Sequence, residues 1–125
     1  MSESGPAVPP ADCAHLVRLF EAAEQVKDQI TWAREGYPRY PPEIEAFFDF
    51  IGRASWTDRN YPGKPIREWI GRIDSVTPEE LATILTAMMR AERFSLGAWQ
   101  GIFQDGDARI VAERARQLAR DADSP

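Results

Sequence analysis

Glu92 is the residue whose position most needs a chemical explanation. It lies in Arg90-Ala91-Glu92-Arg93-Phe94, flanked by guanidinium groups. It follows Leu81 by eleven residues, so a helix turning about 100° per residue returns it to within about 20° of Leu81, on an apolar stripe. A buried carboxylate stripped of its partner costs about 3–5 kcal/mol, so this one must be paired or not buried. The chain offers a solution. If one helix ends near Arg93 and another starts at Leu96, Glu92 can accept hydrogen bonds from the first amides of the second. Ser95 then caps that second helix. Phe94, which continued helix would place about 220° from Leu81, turns back inward. Arg90, Glu92 and Arg93 thus form a candidate polar site, either a structural ion pair or cap, or a seat for a small molecule or anion.

A second cluster is Trp56, Arg59, Tyr61, Lys64 and Arg67. Arg53 to Arg72 holds five basic residues (Arg53, Arg59, Lys64, Arg67, Arg72) against Asp58 and Glu68. Aromatics among cations can stack a base or grip an anion. The plainer alternative is that the Trp and Tyr close the lid of the core. Other chemistry finds little support. The single histidine, His15, and the single cysteine, Cys13, lie two residues apart on an early helix, which supplies neither a catalytic triad nor a metal set. The glycines form no phosphate-cradling pattern, so no cofactor is expected. Glu79/Glu80 and Asp105/Asp107 sit where helix caps belong. Leu81–Arg93, a turn at Ser95 and Leu96–Gln104 have helix-turn-helix proportions. The second helix, however, carries no Arg, Lys or Asn to read a groove.

The elements that must hold these residues are helices. Thr77 with Pro78 and Glu80 makes a capping box, and Leu81, Ile84, Leu85, Met88 and Met89 gather on one face of the helix it starts. Thr83, Thr86, Ala87 and Arg90 fall opposite. Upstream, Asp12 is a candidate N-cap for a helix running towards Gln29, with Leu16, Leu19, Phe20, Ala23 and Val26 buried. Ile30–Ala33 reads equally as the end of that helix or as an extended piece. Gly36–Pro42 must be extended, because three prolines and a glycine exclude helix interior. A helix follows with Ile44, Phe47, Phe48 and Ile51 inward. Ser55–Pro65 is irregular, with Tyr61-Pro62-Gly63-Lys64 matching a type II turn. A short helix over Ile66–Ile73 comes next. Leu96, Trp99, Ile102 and Phe103 mark a later one, where Gly97 and Gly101 leave a bare flank for close approach of another backbone. Gly106 ends it, Asp107 caps the last helix over Ala108–Arg120, and Glu113, Arg114, Arg116 and Arg120 form that helix's solvated face.

Arg90-Ala91-Glu92-Arg93-Phe94-Ser95-Leu96-Gly97-Ala98, with Asp105-Gly106 downstream and the tyrosine-then-phenylalanine start Tyr40–Phe48 upstream, resembles a family of small uncharacterised bacterial domains sharing an E-R-F-x-x-G pattern after an apolar helix. The resemblance covers about Tyr37 to Leu118. Members often carry a Cys-acidic pair where this chain has Ser95-Leu96. The resemblance implies a fold and no activity.

The chain's 125 residues are enough for one domain and a core without staples. A net charge of −5 argues against a broad nucleic-acid surface. One cysteine excludes an internal disulfide and fits a reducing compartment. No apolar run is long enough for a membrane span, and MSESGPAVPP lacks the features of a signal peptide. The expectation is an all-α bundle of five or six short helices around Thr77–Arg93. A disordered tail over residues 1–10 precedes a helical domain over 11–120, and residues 121–125 fray. The functional expectation is a cytoplasmic, non-enzymatic module that binds a protein partner or itself. The alternatives are the small-molecule or anion site and, more remotely, nucleic-acid binding.

Overall fold

A computed structural model of the chain describes residues 6–123. Its centre is α4, Pro78–Phe94, and the first turn forms as its residue types dictate. The Glu80 amide donates to Thr77 Oγ1 at 3.1 Å and the Thr77 amide donates to Glu80 Oε1 at 3.0 Å. Arg72 Nη2 donates to the same carboxylate at 2.8 Å. That bond first, then the Thr77 amide, holds the Glu80 carboxyl below its ordinary value against the opposing effect of burial. A lowered pKa in the folded state stabilises at pH values above the unfolded value of about 4.3 and is lost as pH falls through the folded value. Glu80→Gln is therefore expected to cost about 1 kcal/mol at neutral pH by urea denaturation. The gap to the wild type should close as the medium is made more acidic than about pH 4.

Leu81 to Thr86 are buried without a break, so α4 is enclosed on more than one side. One wall is α2, Pro42–Arg53, which presents Ile44, Phe47, Phe48 and Ile51. Thr83 and Thr86 were expected to face away from the core, and the structure corrects this. The irregular loop after α2 folds over them. Thr83 donates its hydroxyl to Asp58 Oδ2 at 2.6 Å, the Asp58 amide donates to Thr86 Oγ1 at 3.0 Å, and Thr86 donates to the Ala82 carbonyl at 2.8 Å. Polar side chains tolerate burial when every group finds a partner.

The outer layer pairs α1, Pro10–Gln25, with α6, Asp107–Asp123. Glu21–Arg116 and Glu24–Arg109 bridge them at 2.9 and 2.7 Å. Cys13, Leu16, Phe20 and Ala23 of α1 and Val111, Ala112 and Ala115 of α6 are buried. Several boundaries differ from those expected. Pro9, not Asp12, precedes α1, and Asp12 instead accepts from the Trp56 indole at 2.7 Å. The expected tail is packed from Val8, which is buried and donates its amide to the Pro78 carbonyl at 3.2 Å. Residues 1–5 and 124–125 lie outside the described residues. Arg114 is only partly on the solvated face, because its Nε donates to the Val76 carbonyl at 2.9 Å.

Thr31–Trp32 (β1) pairs antiparallel with Pro38–Arg39 (β2), Thr31 opposite Arg39 and Trp32 opposite Pro38. This ribbon settles Ile30–Ala33 as extended and is the one exception to helix among the regular elements described. The expected turn at Tyr61–Lys64 is present, with Gly63 at φ +82° and the Lys64 amide bonded to the Tyr61 carbonyl. Beyond it lie α3, Ile66–Gly71, and α5, Ala98–Gln104. Among the described residues, six α-helices enclose one apolar core, as expected of an all-α chain.

Candidate functional site

The chain bends between α4 and α5, and Glu92 is held there. Its Oε2 accepts from the Gly97 amide at 2.8 Å, and its Oε1 accepts from the Trp99 amide at 3.0 Å and the Tyr40 hydroxyl at 2.7 Å. The expected capture of amides at the start of the second helix is therefore present. Its charged neighbours play no part: among the described residues no ion pair joins Glu92 to Arg90 or Arg93, and Arg93 is exposed. The third donor, Tyr40, comes from the end of the ribbon. Burial, then the hydrogen bond to Glu92, raises its phenol above the ordinary value, so it stays protonated and donating. Nothing in the local sequence links positions 40 and 92.

The rest of the bend departs from expectation. α4 runs through Phe94 rather than stopping at Arg93, so Phe94 keeps its outward helical angle and is 75% exposed. Ser95 is the C-cap of α4 and does not cap α5, whose N-cap position is held by Gly97. Gly97, at φ +91°, turns the chain into α5, which leaves Leu96 outside the helix and 61% exposed. The bare flank at Gly97 is filled by an indole and not by another backbone. A Cβ on Gly97 would meet Trp32 Cζ2 at 2.8 Å. Trp32 also donates its indole N–H to Gln100 Oε1 at 3.0 Å and stays half exposed.

Beside this bend a groove of about 540 Å³ opens between α2, α4 and α5. Its floor is apolar: Phe48 and Trp99 stack with centroids 4.2 Å apart, and Met89 lies beside them. The Trp99 indole N–H is satisfied by the Met89 carbonyl at 3.0 Å. Glu45 and Asp49 stand on the α2 side, while Gly52 leaves the space over Met89 free of side chain. The groove was not legible in the sequence, where Phe48, Met89 and Trp99 read simply as core.

The Trp56–Arg67 cluster is dispersed. Trp56 is 3% exposed and turned to Asp12, so it is a core residue and not a stacking platform. Arg67 forks onto Asp107, the buried first residue of α6, with bonds of 3.1 and 2.9 Å. Tyr61 is half-buried, while Arg59 and Lys64 are exposed. Lys64 borders a hollow of about 190 Å³ with Asp58, Glu79 and Glu80. Elsewhere, burial and then the Asp12 charge push the Cys13 thiol up to about 11. His15 packs edge-on against Phe50 at 4.7 Å. Among the described residues no helix is long and apolar enough to cross a membrane.

Comparison with curated proteins and with solved structures gives no match. A family of unknown function, DUF6508, matches residues 8–121. The match starts at Val8, the first buried residue described, and takes in α1 as well as the region from Tyr37 onwards. The bend, the groove and the helices that carry them all fall within this span, and the chain belongs to that family.

Proposed function

We propose that the chain is a non-enzymatic protein-interaction module of the bacterial cytoplasm, and that its contact face is the groove between α2, α4 and α5 with the neighbouring Phe94–Leu96 turn. The observation that carries this reading is an open apolar groove, with two strongly exposed apolar side chains, Phe94 and Leu96, on the chain between its lining residues Met89 and Trp99. Its volume lies within the roughly 300–1,000 Å³ range of clefts that hold ligands. Exposed apolar surface rimmed by charge is what a recognition face requires. Other residues favour binding over catalysis. Glu92 already accepts from three donors, the thiol is buried and protonated at neutral pH, and the histidine is packed on Phe50. The three donors already bound to Glu92 also favour a structural bend over an anion site at Arg90–Arg93. α5 spends Trp99 and Phe103 on packing, which gives the helix-turn-helix alternative no reading surface. With Glu45 and Asp49 at its edge, the groove suits a segment that pairs a cation with large apolar side chains.

Gly52→Phe provides the control. A Cβ there meets nothing nearer than Met89 Sδ at 3.7 Å, and replacing a helical glycine gains up to about 0.5–1 kcal/mol for Ala and a part of that for Phe. The larger ring fills the groove. Selecting displayed random peptides on the wild type is expected to enrich sequences with Arg or Lys beside Phe, Trp or Leu, and Gly52→Phe should weaken their binding by about tenfold or more. Recovery of no peptide sensitive to Gly52→Phe would remove the groove as a contact face.

A further inference from the structure

We infer that the segment which fills the groove is the α4–α5 turn of a second copy of this chain, with Phe94 and Leu96 lying on the Phe48–Trp99 floor and Arg93 beside Glu45. The inference rests on the groove being an interaction face and names its partner. Three observations support it. First, the turn has the chemistry that the groove asks for. Arg93, Phe94, Ser95 and Leu96 are four consecutive exposed positions, and among the described residues Arg93 forms no ion pair. Second, the groove carries the opposite charge. Glu45 has no ion pair among the described residues, and Asp49 is tied only to Arg53, at 3.0 Å, in a pair so exposed that it holds weakly. Third, turn and groove are neighbours along the chain: Met89 and Trp99 line the groove, and residues 93–96 lie between them in sequence. A twofold axis beside the groove then lets each copy insert its turn into the other, so that both contacts close in a dimer. Head-to-tail insertion would instead propagate a filament.

The test is sedimentation equilibrium on the full chain from micromolar to millimolar concentration, with circular dichroism confirming that each variant stays helical. The wild type is expected to dimerise. Phe94→Ser with Leu96→Ser, and separately Gly52→Phe, should each weaken the dimer by roughly tenfold or more. Arg93→Glu alone and Glu45→Arg alone should each weaken it by setting like charges together. Mixing these two variants should restore association, because the heterodimer pairs the two substituted side chains, now of opposite charge, in one contact and keeps Arg93 with Glu45 in the other. A wild type that is monomeric throughout, or a dimer indifferent to both Gly52→Phe and the Phe94/Leu96 change, overturns the inference. If a monomer still selects groove-dependent peptides, the self-association fails while the interaction face stands. If it selects none, both fail.

Discussion

Glu92→Ala is expected to destabilise the protein by about 3 kcal/mol, because three donors lose a charged acceptor in one step. The Gly97 and Trp99 amides and the Tyr40 hydroxyl all point at this carboxylate. A hydrogen bond to a charged group contributes about 1.5–3 kcal/mol, and water at this partly buried bend recovers some of what three bonds would suggest. Glu92→Gln should lose less, since the side-chain oxygen can still accept on one side. Tyr40→Phe removes one bond and should cost about 1–2 kcal/mol. Urea denaturation of the two singles and the double variant checks the assignment. Tyr40→Phe and Glu92→Gln should couple by about 0.5 kcal/mol or more, as neighbours in one network do. Additive effects would mean that the phenol and the carboxylate act independently.

Gly97→Ala is expected to cost about 2–4 kcal/mol, combining left-handed backbone strain with overpacking. Gly97 has φ +91°, and the new Cβ would lie 2.8 Å from Trp32 Cζ2 and 2.9 Å from Cη2. Neither problem can be relieved without moving the indole off Gln100 or unwinding the start of α5. The two contributions separate by experiment. In a Trp32→Ala background the clash is gone and the strain remains, so Gly97→Ala should then cost only about 1–2 kcal/mol in thermal or urea unfolding. An equal cost in both backgrounds would show that the indole does not press on this glycine in solution.

Angular arithmetic on α4 identified Glu92 as out of place, and the need for donors put the amides of the next helix beside it. Both follow from local geometry. The third donor did not, because Tyr40 reaches Glu92 only after the ribbon has folded back across fifty-two positions of chain. The same arithmetic also placed Phe94 outward. The further step of turning it inward assumed that a large apolar side chain must be buried, and the continuous helix through Phe94 shows that it need not be. Leu96 was misplaced because the left-handed turn at Gly97 delays α5 to Ala98. Thr83 and Thr86 read as a solvent face since their partner, Asp58, lies in a loop whose path periodicity cannot describe. Trp56 illustrates the reverse case, an aromatic in an irregular stretch that closes the core. The groove was hidden for a different reason. It is a space left by Gly52, and patterns of side chains do not register where one is missing.

The ribbon meets the helical body through two aromatic side chains, Trp32 on Gly97 and Gln100, and Tyr40 on Glu92. Trp32 grips the start of α5 directly, and Tyr40 grips it through Glu92, the α4 carboxylate that holds the Gly97 and Trp99 amides. Ribbon and corner are thereby one unit for local opening. If Tyr40 swings away, the acid loses a donor, the first turn of α5 loosens, and the shelf under Trp32 goes with it. A fluctuation that starts at either end frees the other, while the α1–α6 layer can stay closed.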